Sequence, residues 1–206
     1  MAKLYFRYGA MGSSKSANAL MVRYNYLERG QKVILLKPRI DTRDGEKVVS
    51  SRIGISAECD YVENFVTFAK KNWRTEKDAS EYAAVIIDEA QFMTPEQVEY
   101  MAHIVDTLNI PVICYGLRTD FQTRMFPGAA RLFELADQIE QIPTVCWCGK
   151  KAHMNARVIG GKMVREGEQV FIGGNESYIA LCRKHYMQGQ FRPDPDIADS
   201  HTASQK

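Results

Sequence analysis

The octet Gly9-Ala10-Met11-Gly12-Ser13-Ser14-Lys15-Ser16 sets a lysine beside a hydroxyl after two glycines, and those residue types at that spacing can hold phosphate. A phosphate-binding loop needs glycine, four residues, a second glycine, lysine, then serine or threonine. Gly9, Lys15 and Ser16 stand at those offsets, and Ser14 stands where the second glycine belongs. In such a loop backbone N–H groups surround phosphate oxygens, and the following helix adds the positive end of its dipole. Lys15 would reach the β- and γ-phosphates of a nucleoside triphosphate, and the Ser16 hydroxyl would ligate Mg²⁺. The plain alternative is a glycine- and serine-rich surface turn. Ser14 bears on the geometry: at positive φ a serine costs about 1 kcal/mol or more, whereas within the helix it costs nothing.

A second constellation follows the apolar run Ala83-Ala84-Val85-Ile86-Ile87, which ends in Asp88-Glu89-Ala90-Gln91. Acids at the C-terminal end of a buried parallel strand lie where α/β sheets bind ligands. Asp88 would hold Mg²⁺ through water, and Glu89 could take a proton from an attacking hydroxyl. Together with the octet, the pair outlines a nucleoside-triphosphate site. A third constellation is Cys146-Trp147-Cys148 with Cys182-Arg183-Lys184-His185: three sulfurs and one imidazole, a complete tetrahedral set for structural zinc with no position left for catalysis. Cys59 and Cys114 stand alone and read as core residues. Five cysteines, an odd number, argue against a disulfide framework.

The elements that must position these groups can be read from periodicity. Residues 3–8 predict a strand that enters the octet. Ala17, Leu20, Met21, Tyr24 and Leu27 then repeat with helical spacing, and Gly30 marks the helix end. Lys32–Lys37 is a short apolar strand stopped by Pro38; residues 39–60 read as a loop with at most one short strand, and 63–73 as a further helix. Thr94, Pro95 and Gln97 form a helix-start signature ahead of Val98, Met101, Val105 and Leu108, and residues 111–115 form another strand. Alternating strands and helices imply a parallel sheet with right-handed crossovers. After Pro143 short strands, glycines and cysteines replace that rhythm. The expected division is an α/β nucleotide-binding domain over 1–142, a zinc-binding lobe over 143–191 and a disordered tail over 192–206.

In that order, Tyr8-Gly9-Ala10-Met11 with Lys15-Ser16, Asp41-Thr42-Arg43, Asp88-Glu89-Ala90-Gln91-Phe92, Gly116-Leu117 with Phe121-Gln122, and Gly173-Gly174-Asn175-Glu176-Ser177-Tyr178 through Cys182 to His185 resemble type II thymidine kinases, over about residues 3–188. The resemblance implies a RecA-like P-loop NTPase core with a small C-terminal zinc lobe, and transfer of the ATP γ-phosphate to the 5′-hydroxyl of thymidine in nucleotide salvage. It implies Glu89 as the catalytic base, and Gly9 through Ser16, Asp41, Arg43, Asp88, Glu89, Ala90 and Gln91 around ATP and Mg²⁺. Arg43 could stabilise transition-state charge. Met11, Phe92, Leu117, Phe121 and Phe126 correspond to the nucleoside pocket. Gln169, Val170, Phe171, Ile172, Gly173 and Tyr178 correspond to a lasso-like loop over the base, acting largely through its backbone. A homotetramer inhibited by thymidine triphosphate is implied as well. Ser14 departs from the family's usual glycine, and the Cys-x-Cys spacing is shorter than in animal members but similar to that of some bacterial ones.

Composition narrows the alternatives. With 206 residues, 45% of them hydrophobic, the chain can build a core and is not disordered. A net charge of +2 does not encourage nucleic-acid binding, which uses a larger and more clustered basic excess. A nucleic-acid-driven ATPase, whose acidic box Asp88-Glu89-Ala90-Gln91 resembles, usually needs two nucleotide-fold lobes, and this length holds one. No apolar run approaches the ~18 residues of a membrane helix, and the N-terminus lacks a signal peptide pattern, so a cytoplasmic protein without membrane or nucleic-acid partners is expected.

Overall fold

The computed structural model describes residues 1–43, 45–169 and 178–192. In chain order the elements are β1 (Leu4–Tyr8), α1 (Lys15–Glu28), β2 (Lys32–Lys37), β3 (Val48–Ser50), β4 (Ser56–Glu58), β5 (Asp60–Tyr61), α2 (Val62–Asn72), α3 (Glu76–Ala79), β6 (Tyr82–Ile87), α4 (Pro95–Leu108), β7 (Val112–Gly116), α5 (Pro127–Leu135), β8 (Gln138–Gln141), β9 (Met154–Ile159), β10 (Lys162–Val164), β11 (Tyr178–Leu181) and α6 (Arg183–Gln188), with a single 3₁₀ turn at Ala90–Phe92.

Six strands form one sheet in the order β5-β2-β6-β7-β1-β8, and every neighbouring pair is parallel. The apolar runs are continuous because both faces are covered, and side chains alternate between them. Val85, Ile87, Val112 and Cys114 pack with Phe65 and Ala69 of α2, Met101 and Val105 of α4 and Leu132 of α5. Ile86, Ile113 and Tyr115 pack the opposite way, with Ala19 and Leu20 of α1. The start of α4 follows the sequence signature: Thr94 Oγ1 accepts from Gln97 N at 3.2 Å, and Gln97 Oε1 accepts from Thr94 N at 2.9 Å.

Three features differ from the sequence expectation. The apolar stripe of α1 does not face the sheet as a whole: Ala17 and Leu20 are buried, but Met21, Tyr24 and Leu27 are 56%, 61% and 40% exposed. Ala17, Ala19 and Leu20 lie inward, and Met21, Tyr24 and Leu27 turn outward. Residues 39–60 hold three short strands rather than at most one, with β3 and β4 forming a separate antiparallel hairpin rooted by buried Val49. The edge strand β8 carries no apolar strand signal, because Gln138-Ile139-Glu140-Gln141 is polar, as edges often are.

Beyond β8 the strand order β10-β9-β11 makes an antiparallel three-stranded sheet. Its own core contains Cys146, Ala152, Met154, Leu181, Cys182 and Tyr186. Among the described residues, no helix is long and apolar enough to cross a membrane. The expected tail from 193 onward and the stretch 170–177 lie outside the described residues.

Candidate active site

The loop between β1 and α1 is tightly built. A Cβ on Gly9 would come within 2.3 Å of Ser13 Oγ and 2.7 Å of Ile142 O, so only glycine fits. Gly12 adopts φ 74°, a conformation that favours glycine. Ser14 adopts φ 58° and ψ 30° as the N-cap of α1, without a side-chain capping bond, so the serine that replaces glycine is strained. Ser14→Gly should therefore raise stability by about 0.5–1 kcal/mol, part of the relief being lost to the freer unfolded chain. A melting temperature higher by about 1–3 °C would register it; a drop would mean that the serine makes a compensating interaction. Lys15 is buried, with Nζ donating to Ala10 O at 3.0 Å and Ser13 Oγ at 3.3 Å. Burial pulls its pKa down, and the charges of Glu89 and Asp88 offset this only in part.

Asp88 and Glu89 directly follow β6 in the same buried space. Glu89 sits in the left-handed region at φ 51° and ψ 35°, where a side-chain residue stores strain. Its carboxylate is held from two sides: Arg43 Nη2 lies 2.6 Å from Oε1, and Gln91 Nε2 donates to Oε2 at 2.5 Å. Gln91 Oε1 in turn accepts from Leu117 N at 2.9 Å, tying Glu89 to the end of β7. Behind Arg43 stands Asp41, whose Oδ1 accepts from Arg43 Nε at 2.6 Å, and Lys37 Nζ lies 4.0 Å from Asp41 Oδ2. Burial raises the Glu89 pKa, but Arg43 and Lys15 outweigh it and hold the group below the ordinary carboxylate range. Asp88 moves the other way. Burial first, then the Glu89 charge, push it up to about 7 despite a bond from Ser16. Its buried Oδ1 has no hydrogen-bond partner. An orphaned carboxylate oxygen beside a serine hydroxyl has the chemistry of a hard divalent cation site, so these residues fit Mg²⁺.

Two cavities meet at this point. The larger, about 260 Å³, is polar and is bounded by the loop, Arg43, Glu89 and the β3–β4 turn. The smaller, about 50 Å³, is walled by Phe92, Phe121, Phe126, Asn155, Gln169 and Tyr178. Met11, Arg43, Glu89 and Leu117 border both. Phe92 and Phe126 meet edge to face at 5.5 Å, and Phe126 also belongs to the main core. Ser16 borders the larger cavity and Asp41 the smaller, while Gly9 and Ala10 lie by a minor pocket beside Asn155. Ala90 is fully buried in the core and borders none of these three cavities. Val170, Phe171, Ile172 and Gly173 lie outside the described residues.

Cys146, Cys148, Cys182 and His185 converge, with all four ligand atoms within 4.8 Å of one another. Both Cys146 Sγ and Cys182 Sγ are 3.5 Å from His185 Nδ1, and Cys148 Sγ is 4.0 Å from Cys182 Sγ. A tetrahedron with Zn–S of about 2.3 Å and Zn–N of about 2.0 Å has edges of about 3.8 Å and 3.5 Å, so the donor set fits zinc. The tight Cys-x-Cys half works because the chain reverses at once: Gly149, at φ 80°, donates to Cys146 O at 2.9 Å. Trp147 stacks on His185 with centroids 4.1 Å apart.

The protein-family model described as thymidine kinase matches residues 2–186. The chain belongs to the thymidine kinase family. The thymidine kinase of Legionella pneumophila (strain Lens) is 47% identical over 191 residues, covering 92% of this chain and 91% of that protein. The enzyme of Jannaschia sp. (strain CCS1) is 47% identical over 190 residues, covering 91% and 96%. That of Lactococcus lactis subsp. lactis (strain IL1403) is 47% identical over 196 residues, covering 94% and 100%. This thymidine kinase family member is thus a kinase, and family membership implies the use of ATP and Mg²⁺.

Residues that no sequence motif marks join the second sheet of this kinase to the rest. Asn155 Oδ1 accepts from Met11 N at 2.8 Å, and its Nδ2 donates to Thr119 O at 2.8 Å. Arg157 lies 3.7 Å over the Phe121 ring and donates to Tyr178 Oη at 2.9 Å and to Glu168 O at 3.0 Å. The Tyr186 hydroxyl donates to Phe121 O. Nothing in a linear pattern marks which polar residue will cross between sheets.

Proposed function

We propose that this chain transfers the γ-phosphoryl group of ATP to the 5′-hydroxyl of thymidine, giving thymidine monophosphate and ADP. The observation that carries the reading is the position of Glu89, an ionised carboxylate bordering both a polar cavity and an aromatic one. ATP occupies the larger cavity with its phosphates on the Gly9–Ser16 loop, read as a P-loop in a RecA-like core. Lys15 leaves Ala10 O for the β- and γ-phosphates. Ser16 and Asp88 would hold Mg²⁺, which would offset charge on the phosphate oxygens. The thymine ring enters the smaller cavity, where flat apolar walls suit a pyrimidine; Gln169 and Tyr178 border it. Glu89 accepts the proton of the 5′-hydroxyl as its oxygen attacks phosphorus. Arg43, fixed by Asp41, holds Glu89 in place and stabilises the charge that develops on the transferring group.

In this reading residues 1–142 form the nucleotide-binding domain and 143–191 the lobe, with zinc purely structural. The exposed stripe Met21, Tyr24 and Leu27 supports self-association, in keeping with a homotetramer. Inhibition by thymidine triphosphate and a cytoplasmic location complete the proposal. The test is ADP release with ATP and Mg²⁺, comparing thymidine, deoxyuridine, deoxycytidine, single-stranded DNA and no acceptor. Thymidine-dependent turnover is expected; turnover indifferent to nucleosides but stimulated by DNA would reject the acceptor.

A further inference from the structure

The β3–β4 hairpin has no part in the reactions above, yet its turn forms a wall of the larger cavity. Gly54 N donates to Ser51 O at 3.0 Å, and Ile55 O accepts from Ser51 N at 2.9 Å and Ser51 Oγ at 3.2 Å. Arg52 and Ile53 therefore take the two corner positions of a four-residue turn. Both border the larger cavity, together with Ser50 and Ser51. The other end of the hairpin is fixed, because Val49 is buried in the cluster that contains Ala19 and Leu20 of α1. A rooted hairpin thus carries its arginine to the rim of the phosphate loop. Arg52 Nη1 lies 4.0 Å from where a Cβ on Gly12 would stand.

The charges around the cavity give that arginine a purpose. Arg43 is committed to Asp41 and Glu89 by two 2.6 Å contacts. Lys15 borders the cavity, and Arg52 is near enough to disfavour its charge. Two cations brought together against their mutual repulsion favour an anion between them. A triphosphate carries more negative charge than Lys15 and Mg²⁺ offset, in a site that already contains Asp88 and Glu89. An arginine, with its planar fork of donors, matches phosphate oxygens in a way that a single ammonium cannot.

We propose that Arg52 clamps the phosphate chain of the bound nucleoside triphosphate, so that the β3–β4 hairpin is a donor-binding element of the site. The proposal rests on the assignment of the larger cavity to ATP. Arg52→Ala is expected to raise KM for ATP about tenfold, the scale of one charge-assisted hydrogen bond, with KM for thymidine and the melting temperature unchanged. Arg52→Lys should recover part of the loss, since it keeps the charge and gives up the fork. Unchanged KM for ATP, or equal rises in both KM values, would overturn the clamp. Lys15→Ala, measured alongside, separates the two levels. If Lys15→Ala weakens ATP while Arg52→Ala does not, the clamp alone is wrong. If neither weakens ATP, the assignment of the cavity fails and the clamp fails with it.

Discussion

Glu89→Gln is expected to lower kcat by about 10²–10⁴-fold, the range for a lost general base, while ATP affinity changes no more than a few-fold. Glutamine keeps the shape and one acceptor toward Arg43 but cannot take the proton of a hydroxyl. Arg43 remains anchored by its 2.6 Å contact to Asp41, so the site should not collapse. Single-turnover rates with bound ATP and thymidine would make the comparison; a mutant turning over like the parent would remove the base assignment. The two acids should also separate by pH. Glu89 is held below the ordinary carboxylate range by Arg43 and Lys15, so the base stays ionised well below neutral pH. Asp88 is pushed up to about 7 and is protonated below that point, and only its ionised form binds Mg²⁺. At limiting Mg²⁺, activity should fall as pH drops through about 7, and saturating Mg²⁺ should move that limb to lower pH. An acid limb that ignores Mg²⁺ would reassign it to another group.

Cys182→Ser should cost the protein its zinc and, with it, the ordered lobe. Structural zinc sites contribute folding free energy outright, on the order of 10 kcal/mol in isolated fingers, so losing one of four ligands should lower the melting temperature and drop the metal content well below one per chain. Thymidine should suffer more than ATP. Asn155, Gln169 and Tyr178 line the aromatic cavity from the lobe, and Arg157 and Tyr186 brace its Phe121 and Tyr178 walls, whereas the larger cavity is bounded entirely by residues before 143. The expected signature is a KM for thymidine raised at least tenfold, with ATP binding changed far less. Retention of metal and thermal stability would show that the ligand set is wrong.

Much of the site is legible in the chain because its chemistry is local. The loop from Gly9 to Ser16 is contiguous, and its strand and helix flank it directly. Asp88 and Glu89 follow an unbroken apolar strand, and Cys182 with His185 fits half a metal site within a single turn. Thr94 and Gln97 cap α4 as written, because a capping box needs only neighbours. The burial of α1 is less legible. Its spacing gave a helix correctly, but periodicity locates an apolar stripe without saying what will cover it, and three of its members face outward.

The sequence by itself determined the alternating α/β order, the phosphate-loop pattern, the acidic strand end and the metal-ligand types, since each depends on residues close in the chain. Only the tertiary structure decided that Ser14 is strained, that Gln91 ties Glu89 to β7, that Arg52 and Asn155 border the two cavities, and that Arg157 braces the Phe121 and Tyr178 walls of the smaller one. Those outcomes depend on backbone torsions and on contacts between segments far apart in sequence. Such contacts are fixed by how the sheets and helices pack, and a linear spacing carries no record of that distance.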